Sequence, residues 1–409
     1  MKKKIIILCL KLTEFKSKII ELEKLKEVYD IEIHECIDFL LPKSKINFGK
    51  KKKFKNLITF KNFTSWKHYL LKLNTNSLKN KKRIIVLDTI SDFDHFGNNF
   101  YWFLIYYNLK KLNIFFIKLH FPGLPMYNEK KKLSFFYVNK IFANIKTLLI
   151  RPLYSIGRIK EIFFLLLGKL LKLYPNLIFV AGKQDIVRLK SQRIKSMKIV
   201  PFLTNDYSQH LIEGKKKNFL NLKGKYAVFL SDRDYNLVPE DALYQTNYKP
   251  TLTYENWHKP LTNFFNFLEN NLGIKIIIAA HPKSFKRNTK KIYHPRKVYF
   301  NKTNQLLKNS KFAITQRSTA LNFAVIHSKP IMFISSTTLT KTINRHIEFI
   351  ANKFHQSPID INKKIEEKKI KEFLNFKMKK LKEYKVNYIS TVKSKKPNFK
   401  IIIENINAL

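Results

Sequence analysis

Two stretches carry the residue types from which a phosphate site is built. The first, residues 274–284, reads IKIIIAAHPKS, an apolar β-branched run that stops at His281-Pro282 with Lys283 and Ser284 behind it. The second, residues 312–335, reads FAITQRSTALNFAVIHSKPIMFIS. It is another apolar run, ending in Thr315-Gln316-Arg317-Ser318-Thr319 before a helical pattern begins. An imidazole fixed at a strand end by the following proline can donate to a phosphate oxygen. A guanidinium beside a hydroxyl-rich helix start can clamp an anion, because the helix presents unpaired N–H groups and the positive end of its dipole. We therefore expect His281, Pro282, Lys283, Ser284, Arg317, Ser318 and Thr319 to hold phosphate, with Ser318 or Thr319 capping a helix over Ser318–His327. A strand-end histidine and an ordinary capped helix are the plainer readings. The pairing of the two phrases, and an arginine in an arginine-poor chain, favour a site.

Three further groups could do chemistry. In SDRDY, after the run Tyr226–Leu230, the carboxylates of Asp232 and Asp234 could take a ribose or sugar hydroxyl; turn formation is the alternative. The run RIIVLDT ends in ISDFDHFG, where Asp92, Asp94 and His95 lie within four residues. A strand end so furnished can supply a general base for an acceptor hydroxyl, and Asp94 and His95 join His281 as the candidate catalytic residues. Capping of the next helix is the competing use of the acids. Several signatures are missing. With 9 glycines the chain has no G-x-G-x-x-G or Walker A loop, which disfavours NAD and ATP by those routes. No Cys/His cluster has zinc spacing, and no G-x-S-x-G elbow is present. Neither a metal nor a cofactor is expected.

These groups must be positioned by a scaffold, and the apolar rhythm supplies one. Strand-like runs at Lys4–Leu10, Arg83–Thr89, Asn113–Leu119 and Leu177–Ala181 alternate with helical stretches at Phe15–Tyr29, Asn98–Lys111, Phe135–Leu149 and Ile159–Leu173. Runs at Tyr226–Leu230, Lys275–Ala280, Lys297–Phe300, Lys311–Thr315 and Pro330–Ser335 follow, with helices at Tyr254–Asn271, Asn304–Asn309 and Ser318–His327. Strand–helix alternation predicts α/β architecture with parallel sheets, whose ligands bind outside the carboxyl ends of the strands. At 409 residues the chain suits two domains of about 150–200 residues. A seam without clean periodicity lies over 201–225. The expected division is an N-terminal Rossmann-like domain over 1–205, a C-terminal Rossmann-like domain over 206–359 and a basic helical tail over 360–409. That tail either packs across the domain junction or stands in solvent.

Composition narrows the partners. Lys and Arg number 79 against 29 Asp and Glu, a net charge of +50. Such a charge first implies nucleic acid. Only 10 of the 79 are arginines, however, and the lysines are spread along the whole chain, so nucleic acid is disfavoured. An anionic membrane surface or polyanionic substrate remains compatible. Cys9 and Cys36 are the only cysteines, which favours a reducing compartment and a cytoplasmic protein. The start MKKKIIILCLKL imitates a signal peptide, but Lys11 interrupts a short apolar run, and we read a first buried strand. No segment reaches the length of a membrane span.

The stretch from about Phe229 to Ser336 resembles bacterial surface-polysaccharide biosynthesis proteins of the GT-B glycosyltransferase type. Its matching phrases are SDRDYNLVPEDALYQTNYKPTLTYENWHKPLTNFFNFLENNLGIKIIIAAHPKS and FAITQRSTALNFAVIHSKPIMFISS. NLIFVAGKQD and VPFLTNDYSQHL resemble the same group more loosely. The resemblance implies a GT-B-like fold, two Rossmann-like domains facing across a cleft. It implies a metal-independent transfer of sugar from a nucleotide sugar to a growing surface polysaccharide or lipid-linked acceptor, in capsule or lipopolysaccharide assembly at the inner membrane. In related capsule polymerases and sialyl- or Kdo-type transferases, an HP dipeptide and a downstream hydroxyl pair hold the donor phosphate. Those roles would fall on His281-Pro282 and Ser318-Thr319. The acidic-acidic-glycine base motif of polysialyl-type polymerases has no clear counterpart, which leaves the base open. Non-hydrolysing sugar-nucleotide 2-epimerases share the architecture and an HP-type turn. They resemble this chain less, because their glycine-rich segment is replaced by Gln316-Arg317-Ser318-Thr319. The alternatives are a sugar-nucleotide epimerase or hydrolase, and a non-catalytic protein binding anionic glycan or lipid.

Overall fold

The structure, a computed structural model, describes residues 2–40, 51–79, 83–90, 99–120, 124–125, 160, 163–164, 166–191, 197–214, 220, 222, 224–231, 252–282, 284, 286–365, 370, 373, 378–392 and 395–409. The described residues form two parallel sheets. The first contains β1 (Lys4–Cys9), β2 (Asp30–Glu35), β3 (Leu57–Thr59), β4 (Ile84–Asp88), β5 (Phe115–His120), β6 (Leu177–Ala181) and β7 (Lys198–Phe202). The second contains β8 (Tyr226–Leu230), β9 (Lys275–Ala280), β10 (Val298–Phe300), β11 (Ala313–Thr315), β12 (Ile331–Ser335) and β13 (Ile359–Asp360). Their orders are β3-β2-β1-β4-β5-β6-β7 and β10-β9-β8-β11-β12-β13. Each sheet starts in its middle, adds two strands on one side, then turns to the other. That is the doubly wound Rossmann order, with its switch points between β1 and β4 and between β8 and β11. The expected α/β class, with two Rossmann-like sheets and a helical C-terminal region, is what the structure shows.

The central strands KIIILC, IIVLD, LIFVA and YAVFL form because parallel strands covered on both faces must be apolar throughout. Strands β2, β3, β7 and β13 were not expected, for physical reasons. In DIEIHE the polar side chains imitate a half-exposed segment, yet they are buried as a network. His34 Nε2 pairs with Glu32 Oε1 at 2.8 Å, Lys4 Nζ with Glu32 at 2.9 Å, and Trp66 Nε1 donates to His34 Nδ1 at 3.2 Å. Strand β7 contains Pro201, tolerated because β7 is an edge.

The single helix expected over Phe15–Tyr29 is broken into Glu14–Ile19 and Leu22–Val28, with Glu21 left-handed between them. The break aims the Glu21 carboxylate at the C-terminal tail. It accepts from Phe399 N at 2.7 Å, at the positive end of helix Asn398–Asn407, and from the Ser208 hydroxyl. The tail does not stand in solvent. Leu381, Tyr384 and Ile389 pack in a core of the second sheet, and Ile401, Ile402 and Ile406 in a core of the first. Burying these last three isoleucines contributes about 1.5–3 kcal/mol each, as an upper figure. Between these anchors the π-helical turn Lys385–Ile389 passes over Gly182, whose φ is +77°. A Cβ there would lie 2.6 Å from Asn387 O and 2.8 Å from Tyr388 Cα, so glycine is required.

Helix Asn205–Glu213 joins the halves, occupying part of the segment that lacked periodicity in the sequence. Tyr207 packs against a core of each sheet. Asn322 Nδ2 donates to Asp206 Oδ2 at 2.9 Å, and Asn304 Nδ2 to Glu213 Oε2 at 2.8 Å. Asn304 Oδ1 also lies 3.2 Å from His210 Nδ1 and 2.8 Å from His327 Nε2. Loss of hydration lifts the Asp206 carboxyl to about 6, against the pull of Asn322. Burial, with His210 nearby, presses the His327 imidazole down to about 4.

Candidate functional site

The two phosphate phrases end on one rim. Strand β8 pairs with β9 on one side and with β11 on the other, Leu230 facing Ala279 and Phe229 facing Ile314. Continued by one residue, this register sets Thr315 beside Leu230. His281 and Arg317 then each stand two residues beyond a common level, on either side of the end of β8. Two strand spacings of about 4.8 Å put their backbones about 10 Å apart. An imidazole and a guanidinium can span that gap to one diphosphate. Around Pro282 the backbone turns tightly, Ser284 N donating to His281 O at 3.0 Å, and Ser284 is buried. His281 and Arg317 are each half-buried, and Pro282 and Thr319 are exposed. At the end of β8, Ser231 N donates to Ala279 O at 3.0 Å, and its hydroxyl lies 3.3 Å from Tyr293 OH. Lys283, Asp232 and Asp234 lie outside the described residues.

The expected helix cap takes another form. The helix is Leu321–Ile326, its N-cap position is Ala320, and no side chain caps it. Thr315 Oγ1 instead accepts from Ser318 N, and Ser318 Oγ from Ala320 N, both at 3.4 Å. Backbone bonds from Leu321 N to Ser318 O and from Asn322 N to Thr319 O complete a tight turn. The hydroxyls of Thr315 and Ser318 therefore shape the approach to a short helix.

Gln316 was not singled out by sequence. It is 1 % exposed, and among the described residues neither its amide oxygen nor its nitrogen has a hydrogen-bond partner. Burying a polar atom without a partner costs about 1–3 kcal/mol, so Gln316 does not stabilise this strand end. The readable signal is an amide directly after the short run FAIT.

The rim of the first sheet is furnished differently. Asp88, fully buried at the end of β4, accepts from Tyr106 OH at 2.6 Å and from Ile90 N at 2.9 Å, and Lys118 Nζ of β5 lies 3.8 Å away. Lys16 Nζ crosses from the β1 side to donate to Thr89 O at 2.5 Å. Burial lifts the Asp88 carboxyl above its ordinary range even with Lys118 beside it. Burial also presses the Lys16 ammonium down to about 8, the nearby Cys9 and Asp88 pulling it back up. At the end of β5, His120 Nε2 lies 3.3 Å from Asp185 Oδ2. Burial would raise the Asp185 carboxyl, but the bond from His120 and the charge of Arg188 hold it below the usual range. Glu35, ending β2, accepts from Leu12 N at 2.7 Å and Thr59 Oγ1 at 3.0 Å. Sequence reasoning passed over Asp88, Lys118 and His120 because each sits inside or at the end of an otherwise apolar run. A lysine inside the strand FFIKLH was the signal available. Asp94 and His95 lie outside the described residues.

No protein-family model and no protein of described function matches the sequence. Among solved structures, the chain is similar to the UDP-GlcNAc 2-epimerase of Methanocaldococcus jannaschii in complex with UDP-GlcNAc and UDP. The identity is 14%, with 99% of each chain covered and a TM-score of 0.47. The UDP-GlcNAc 2-epimerase of Neisseria meningitidis bound to UDP-GlcNAc is similar at 12% identity, covering 100% of both chains with a TM-score of 0.45. The MurG of Acinetobacter baumannii is similar at 8% identity, covering 100% of both with a TM-score of 0.45. At such distances the chemistry rests on this chain's own residues.

Proposed function

We propose that the protein is a glycosyltransferase of the GT-B type that takes a nucleotide-activated sugar as donor. In this reading it extends a surface polysaccharide or a lipid-linked acceptor, in capsule or lipopolysaccharide assembly. One observation carries the proposal: β9 and β11 flank β8, so the strands that lead into His281-Pro282 and into Gln316-Arg317 end on either side of β8, next to the switch point of the second sheet, where Rossmann-type sheets take their ligands. His281 and Arg317 hold the donor's phosphates, with Pro282, Lys283, Ser284, Ser318 and Thr319 shaping their approach. Asp232 and Asp234, which follow β8 in the sequence, take ribose or sugar hydroxyls. Positive charge at this rim stabilises the leaving phosphate without a divalent metal. The acceptor hydroxyl is deprotonated by Asp94 or His95, which follow β4 in the sequence. The sequence resemblance across the two phrases supports the same reading. No nucleic acid is required, and the setting is cytoplasmic, against the inner membrane.

The test is incubation with CMP-, UDP- and GDP-sugars, with and without a glycan or lipid-linked acceptor. Release of free nucleotide only with acceptor present is expected, and His281→Ala should slow it by about a hundredfold. Conversion of the donor without acceptor would instead identify an epimerase or hydrolase. Turnover unchanged in His281→Ala would remove that residue from the site.

A further inference from the structure

The first domain carries an apolar ridge on its outer surface. Helical residues include 160, 163–164 and 166–170, and among them Phe163, Leu166 and Leu170 are 57%, 58% and 76% exposed. Their spacing of three and four puts them on one stripe of the helix. The opposite side faces the domain. Phe164 packs on Phe100 and Phe103 with ring centroids 4.7 and 5.3 Å apart, and a Cβ on Gly168 would touch Phe103 at 3.9 Å. Lys110 Nζ donates to Leu171 O at 3.0 Å and Lys172 O at 2.9 Å, tying down the helix end. The ridge is thus held outward on a fixed support, and isolated exposed apolar residues are common where such a stripe is not.

The surrounding charge says what covers it. From 160 to 172 the sequence KEIFFLLLGKLLK has three lysines and one glutamate; Lys169 and Lys172 are exposed beside the ridge, and Lys160, also exposed, sets its ammonium 4.4 Å from the Phe100 ring centroid. A second copy of a chain with net charge +50 would bring like charges together at this face. An anionic lipid surface gains attraction from the same lysines and solvates the same side chains in its acyl boundary. Among the described residues no helix is long and apolar enough to cross a membrane, so the element lies in the surface plane.

We propose that the ridge formed by Phe163, Leu166 and Leu170 is the seat by which this protein rests on an anionic bilayer, its lysine fringe meeting lipid phosphates. This goes beyond the donor-site reading and stands without it.

The experiment uses the full chain and vesicles of phosphatidylcholine, alone or mixed with phosphatidylglycerol. Flotation is done in about 0.5 M salt, where the Debye length of about 4 Å suppresses general attraction by the lysines. Wild type should float with the mixed vesicles, and a variant combining Phe163→Ser, Leu166→Ser and Leu170→Ser should bind about tenfold more weakly or worse. Leu170→Trp adds an exposed reporter, because Trp66, Trp102 and Trp257 are no more than 4% exposed, and its emission should shift to the blue on vesicle addition. Equal binding by the triple variant, or an unshifted Leu170→Trp spectrum, overturns the proposal. So does a wild-type dimer that the triple variant abolishes, which would make the ridge a protein interface. Nucleotide binding should be the same in wild type and triple variant, so failure here leaves the donor site standing.

Discussion

The two sheets share one strand order and differ in what they place at the switch point. At the first rim the charges answer one another: Asp88 takes Tyr106 and Ile90 N beside Lys118, and His120 meets Asp185. At the second rim, His281 and Arg317 follow the strands that flank β8, with a buried Gln316 that has no partner among the described residues. Equal topology therefore does not imply equal use. A rim whose buried charges are internally compensated contributes to holding the domain together. The second rim, among the described residues, gathers an imidazole, a guanidinium and an amide, the groups the proposed donor site requires.

If that contrast is right, the largest response to a single substitution belongs to the first rim. Asp88→Ala removes the carboxylate beside the buried Lys118 ammonium and the acceptor of the bonds from Tyr106 OH and Ile90 N, so a loss of about 3–5 kcal/mol is expected in denaturant unfolding. Arg317→Ala, at the half-exposed second rim, should shift the same curve by no more than about 0.5 kcal/mol. Comparable losses from the two would erase the distinction.

A smaller effect lies where the halves meet. Asp206 binds its proton more tightly in the native state, so its contribution is complete below its ordinary 3.8 and is lost as pH rises to about 6. His327 is held neutral, so its contribution is complete above its ordinary 6.5 and is lost as pH falls to about 4. The two slopes oppose one another across this window. Relative to wild type, Asp206→Asn should make melting temperature climb more steeply from pH 4 to 6, and His327→Gln should make it fall. Identical profiles for all three proteins would remove titration from this junction.

Much of the second sheet was readable because its strands are continuous apolar runs bounded by proline, glycine or hydroxyl residues. The pairing of β9 and β11 across β8 was not, since strand order is set by packing and not by local pattern. The first sheet was harder to read. Strand β2 buries Glu32, His34 and Glu35 through partners distant in sequence, and β7 carries a proline that only an edge allows. Arg317 and His281 could be singled out by type and spacing. Gln316, Asp88 and Lys118 could not be weighed without burial, because a polar residue in an apolar run is conspicuous only once water is known to be excluded from it. The cap expected at Ser318 or Thr319 failed for a local reason: Thr315 Oγ1 and Ser318 Oγ take the N–H groups of a tight turn that precedes the helix.

The central claim is that the carboxyl rim beside β8 holds a nucleotide's phosphates. Calorimetric titration of UDP, GDP and CMP into wild type and Arg317→Ala, in low and in about 0.5 M salt, addresses it most directly. At least one nucleotide should bind wild type, and the variant should lose tenfold or more in affinity with its melting temperature unchanged, a difference that persists in high salt. Equal affinity for both proteins, or binding that vanishes for both once salt is raised, would contradict the account.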